Sequence, residues 1–165
     1  MAVRPVYRLP EPVLKLRAEE MGEDRDEALI EALVDTMKAS PACVGLAAPQ
    51  IGVSRRAIVV DVSGHPKTTV SHGLVVLIDP MIVEMSGRKA GREGCMSVPD
   101  ITANVARGTH VVVGGRTPDG EDRTIVTEGF EARAFQHEID HLDGLLILDR
   151  VASLATDVFH RKTYK

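Results

Sequence analysis

Between Asp24 and Ser40, in DRDEALIEALVDTMKAS, apolar residues return at Leu29, Leu33, Val34 and Met37. That three-to-four spacing lines one side of an α-helix. Asp24 with Glu27 three residues on resembles a capping box for its start, and Pro41 is expected to end it. The period then changes. AIVVDV at 57–62, LVVLID at 74–79, THVVVGG at 109–115 and DRTIVT at 122–127 are short β-branched runs bounded by breakers, with a turn-like PDG between the last two. They predict an antiparallel meander whose pairing order is left open. After Thr127 the helical period returns: Phe130, Ala134, His137 and His141 fall within a narrow arc, and Gly144 just beyond fits a C-cap. This helix is expected to be part of the core. There is no internal repeat or low-complexity tract. SGHPKTTVSHG at 63–73 is the long loop candidate, and an amphipathic stretch over 151–159 precedes the basic ending HRKTYK.

Length adds that 165 residues form one compact domain, so a single domain over 1–165 is expected. Charge narrows the partners. Twenty Lys and Arg against 24 Asp and Glu leave −4, which gives no general attraction to phosphate backbones or anionic lipid. Trp is absent and other aromatics are few, so a base-stacking platform has little to be built from. Neither nucleic acid nor membrane is an expected partner. The early MAVRPVYRLPEP has no signal-peptide core and no later run approaches membrane-spanning length, so a soluble, cytoplasmic protein is expected. Two cysteines, Cys43 and Cys95, are too few for a disulfide framework and read as free thiols or ligands.

The candidate chemistry lies in QHEIDHLDG at 136–144. At 3.6 residues per turn, His137 and His141 stand one above the other, with Glu138 on the flank. In this H-E-x-x-H arrangement two imidazoles hold a cation while the carboxylate moves a proton. Burying these groups without a partner would cost on the order of several kcal/mol, which a metal would offset. A catalytic site also needs a third protein ligand and an open position. The extension H-E-x-x-H-x-x-G-x-x-H fails here, because Ile147 stands where the third histidine would be. His65, His72, His110 and His160 read as ordinary surface residues. Cys95, in REGCMSVP, is the better donor, since a metal supplies the fall in thiol pKa that ligation needs; taken alone it would read as a small buried hydrophobe.

Three stretches together resemble the peptide deformylase family: VGLAAPQIG at 44–52, EGCMS at 93–97 and QHEIDH at 136–141, in the family's order and covering nearly the whole chain. The resemblance implies an α+β fold of mixed, mainly antiparallel sheets packed around a central helix carrying HEIDH. It implies Cys95, His137 and His141 as metal ligands and Glu138 as general acid/base. Gln50 and the backbone N–H of Met96 would face the formyl oxygen as negative charge develops. Gly45 with neighbouring backbone, Gly94 included, would pair with the substrate as an added strand, and Val44, Phe130 and Ala134 would receive its Met side chain. The implied reaction is hydrolysis of the N-formyl group on newly made polypeptides. The implied metal is iron(II); thiolate and imidazole donors also suit zinc, nickel or cobalt. Such a substrate is compatible with transient ribosome association, which the sequence leaves open.

Around this set, Glu93 and Arg107 read either as a partly buried ion pair supporting the Cys95 segment or as solvated charges. Asp140 is expected to steady His137 or cap the helix, and Pro49, Gly52 and Gly94 to make turns. Two positions depart from the family pattern: Cys43 stands where glycine is common and Thr102 where many members have arginine. They keep two other readings open, a non-catalytic metal-binding adaptor and a hydrolase of another acylated amine.

Overall fold

The computed structural model describes residues 2–161. Helix α1 spans Glu27–Ala39 and buries Leu29, Ala32, Leu33 and Met37. Its cap is Asp26, not Asp24: the Asp26 carboxylate accepts the Leu29 N–H at 3.1 Å. Asp24 lies one step outside, where it accepts the Asp26 N–H and pairs with Arg55. Ser40 leaves the helix in extended geometry, as a residue preceding proline is driven to do.

In chain order the strands are β1 (Gly45–Ala47), β2 (Ala57–Val60), β3 (Val75–Ser86), β4 (Lys89–Cys95), β5 (Val98–Arg107), β6 (His110–Arg116), β7 (Asp122–Glu128) and β8 (Val158–His160). They build two antiparallel sheets, β1-β2-β3-β6-β7 and β4-β5-β8. The meander expected from the β-branched runs is the first sheet, interrupted between β3 and β6 by the β4–β5 hairpin. This is a mixed α+β arrangement.

All four residues of β2 are buried because the strand feeds two cores. Ile58 and Val60 pack with Leu77, Val113 and Ile125 against Phe135, Ile139 and Leu142 of helix α2 (Gly129–Leu142). Ala57 and Val59 face the other way, toward Leu29, Leu33 and Met37 of α1. A strand covered on both faces loses the alternation of a half-solvated one, which is why AIVV is continuously apolar.

The end of α2 is sharply defined. Leu145 N–H reaches Asp140 O at 2.9 Å and Gly144 N–H reaches His141 O at 3.2 Å, a Schellman closure with Gly144 at φ +74°. A Cβ at Gly144 would also lie 2.5 Å from the backbone oxygen of Lys15, an atom with little freedom to retreat. Gly144→Ala is expected to destabilise the protein by about 2 kcal/mol or more, read in thermal unfolding as a Tm roughly 5 °C lower. An unchanged Tm would mean that the helix end relaxes without cost.

A short helix, α3 (Ile147–Arg150), follows. The stretch over 151–159 then forms turns before joining β5 through β8, with Thr102 opposite Phe159. Of the basic ending, His160 and Arg161 are described; residues 162–165 lie outside the described residues. Among the described residues no helix is long and apolar enough to cross a membrane.

Candidate active site

Strand β4 alternates strictly near its end: Glu93 and Cys95 are buried, Arg92 and Gly94 face outward. Gly94 therefore stands inside a strand, opposite Thr102, rather than in a turn. The inward residues meet α2, whose 3.6-residue period brings His137 and His141 to the same side. Cys95 Sγ lies 3.4 Å from His141 Nε2, and one donor atom from each of Cys95, His137 and His141 falls within 4.8 Å of the others. Burial works to raise the Cys95 thiol, but the facing His141 and His137 rings hold it well below its usual value. A thiolate with two imidazoles is a donor set suited to a divalent transition metal, and these three residues could hold one.

Glu138 lies beside them, buried, with Oε1 lacking a hydrogen-bond partner among the described residues. Burial raises its carboxyl above the ordinary carboxylate range, against the pull of His137 and His141. Its neighbour across the cleft is β1, whose alternation turns Gly45 and Ala47 toward α2. A Cβ at Gly45 would lie 2.7 Å from Glu138 Oε2 and 2.9 Å from Cγ, so the glycine makes room for the carboxylate.

Gln50, also buried, is fixed at both ends. Its Oε1 accepts the Ala47 N–H at 3.0 Å, which determines the amide orientation, and Nε2 donates to Ser97 Oγ at 3.1 Å and toward Cys95 Sγ at 3.7 Å. Ser97 in turn donates to the Tyr7 carbonyl at 2.7 Å. Ser97 is a site residue that the sequence reading passed over, although it closes the quoted EGCMS stretch.

Behind the cluster runs a chain of buried charges. Arg107 engages both oxygens of Glu93, at 3.0 and 2.9 Å, and also binds Asp140. Glu93 further accepts from Arg133 at 2.7 Å and pairs with His137 Nδ1 at 2.8 Å. Burial would raise the Glu93 carboxyl, but Arg107 and His137 hold it well below the usual range. Of the two readings of Glu93 and Arg107, the structure has the ion pair. The expectation that Asp140 steadies His137 is corrected: Glu93 takes that place, leaving His137 Nε2 for the cluster. Asp140 is drawn instead to Arg107, at 2.5 Å, and to Arg150, which donates to its two oxygens at 3.0 and 2.8 Å, because two guanidinium groups compete better for a carboxylate than one imidazole N–H.

The cluster lies at the floor of a cleft of about 1040 Å³. Val44, Gly45, Gln50, Gly94, Met96, Phe130 and Ala134 all line it, while Arg107 and Asp140 stand behind. Cys43 lines it too. Its thiol donates to the Gly45 carbonyl at 3.1 Å, and burial with the nearby Glu138 pushes it up to about 12. His65 and His160 belong to the lining rather than to a plain surface; His65 stacks on Phe130 with ring centroids 4.1 Å apart. His72 anchors the other end of the 63–73 loop by binding the buried Glu131.

Comparison with known proteins bears on this arrangement. A family model described as polypeptide deformylase matches residues 3–157. The peptide deformylase of Carboxydothermus hydrogenoformans is 46% identical over 156 residues, covering 93% of this chain and 97% of the relative. That of Desulforudis audaxviator is 45% identical over 166 residues, covering 98% and 99%. Among solved structures, a class I type b peptide deformylase from Acinetobacter baumannii with Met-Ala-Ser bound superposes with a TM-score of 0.83 at 37% identity, covering 92% of this chain and all (100%) of that one. Matches of this extent take in both sheets, the β4 cysteine and the histidine helix at once: the chain belongs to the peptide deformylase family.

Proposed function

We propose that the chain removes the formyl group from the N-terminal formyl-methionine of newly made polypeptides, releasing formate, and acts as one catalytic domain in the cytoplasm. The observation that carries this reading is the placement of Glu138: a buried carboxyl with one oxygen unpartnered among the described residues, beside a thiolate and two imidazoles, at the floor of a cleft walled by an edge strand. Cys95, His137 and His141 would hold the metal, which we take to be iron(II) and which would supply Lewis acidity and a lowered water pKa.

The remaining work falls to the chain. The edge of β1 not paired to β2 offers the Gly45 backbone to an extended peptide, and Val44, Phe130 and Ala134 supply apolar surface for its Met side chain. Glu138 takes the proton of the attacking water and returns it to the leaving amine, a cycle favoured by a carboxyl raised toward neutrality. The Gln50 hydrogen now directed at Cys95 Sγ is presented to the formyl oxygen as charge grows there, joined by the Met96 N–H. Met-Ala-Ser, the molecule bound in the Acinetobacter structure, begins as such a product would begin. Transient contact with the ribosome belongs to the same reading, since the substrate emerges there.

Iron-loaded protein should release formate from formyl-Met-Ala and leave acetyl-Met-Ala intact. No formate from any formyl-Met peptide would overturn the proposal, and turnover confined to other acyl groups would redirect it. Gly45→Ala is expected to lower kcat by about 10²-fold with metal content retained, because a displaced Glu138 loses its geometry for proton transfer. Undiminished kcat would show that Glu138 tolerates the shift.

A further inference from the structure

The outward face of β4 carries Arg92 and Gly94 to the mouth of the cleft, and β8 completes that wall. Arg92 lies over the Phe159 ring, 3.6 Å from its centroid, and donates to Asn104 Oδ1 at 3.3 Å and Thr102 Oγ1 at 3.4 Å. Arg161 is held by its backbone N–H on the Asp100 carbonyl at 2.9 Å, and its guanidinium occupies the space that a side chain at Gly94 would need. Both arginines line the cleft, as does Lys67. Among the described residues neither guanidinium has a carboxylate partner. The acidic residues of the lining, Glu93 and Glu138, are buried at the floor, and Glu93 is already engaged by Arg107 and Arg133. The rim is thus positive, with its arginines anchored on neutral groups that, among the described residues, leave their charge uncompensated.

Arg92 stands three residues before Cys95, about 10 Å away along a strand rising ~3.3 Å per residue. An extended peptide whose formyl carbon sits at the Cys95 cluster covers that distance by its second or third residue. The geometry points to Arg92 and Arg161 as specificity-determining residues that select peptides bearing a carboxylate two or three residues along. They supply from β4 and the end of β8 the positive donor that Thr102 does not supply from β5. This inference rests on the deformylase reading of the same cleft.

Formyl-Met-Ala-Glu-amide and formyl-Met-Ala-Lys-amide test it, the amide removing the terminal carboxylate; formyl-Met-Ala-Ser against its own amide tests the terminal carboxylate as an alternative source. At low salt the Glu peptide should show a KM about three- to tenfold below that of the Lys peptide at similar kcat, with the gap closing at high ionic strength. Arg161→Ala and Arg92→Ala should each bring that ratio toward one, and Arg161→Lys should retain most of it. Calorimetric Kd values of metal-loaded protein for Met-Ala-Glu-amide and Met-Ala-Lys-amide should show the same preference without turnover. Equal KM and Kd for the paired peptides would overturn the inference, as would a ratio that survives both alanine variants. Failure to release formate from every peptide would overturn the proposed function instead, and the Kd comparison would still decide this inference.

Discussion

Glu138→Gln is expected to lower kcat by about 10²- to 10⁴-fold while the protein still binds one metal ion per chain. Glutamine keeps the shape of the side chain and fits the space that Gly45 leaves open, so the floor of the cleft is preserved. What it lacks is a site that takes up and gives back a proton. The three donors Cys95, His137 and His141 are untouched, so metal content separates this effect from loss of the centre. Activity within tenfold of the parent would assign the proton transfer to another group.

The largest stability effect is expected at Arg107→Ala. The guanidinium sits between two buried carboxylates, taking both oxygens of Glu93 and one of Asp140. Removing it leaves Glu93 with Arg133 and His137 and Asp140 with Arg150 alone. Breaking a buried pair from one side typically costs about 3–5 kcal/mol, which in a chain of this size lowers Tm by roughly 10 °C. Because Glu93 also pairs with His137 Nδ1, metal affinity should weaken in the same variant. Thermal unfolding and metal titration read the two losses; a Tm within about 2 °C of the parent would mean that the arginine's work is shared by its neighbours.

Helix α2 was legible because its period, its histidine spacing and its terminal glycine are all local signals. The strands of the first sheet were legible for a similar reason: β-branched runs between breakers. The second sheet was not. KAGREGC and VPDITANVAR mix charge, alanine and glycine, since one face of β4 looks to solvent and the cleft while the other buries a carboxylate and a thiol. Such a strand is stabilised by pairing and by buried ion contacts, which no short window displays. β1 is three residues long and its glycine serves Glu138, so it reads as a loop. The partner of His137 was not legible for a related reason: Asp140, offered as a support for His137 or a cap, is close in sequence, whereas Glu93 arrives from another sheet and prevails by geometry. The arginines of the rim could be quoted but not placed, because Arg161, in the basic ending, gains its meaning only when β8 pairs with β5.

Cys95 belongs to one sheet, and the two histidines belong to a helix packed on the other. An ion bound by all three is therefore a rivet across the seam between layers, reinforced by the Glu93 contact beside it. Grip on the ion and cohesion of the layers are one linked quantity, so a change that relaxes the seam anywhere along β4 is felt as leakage of metal.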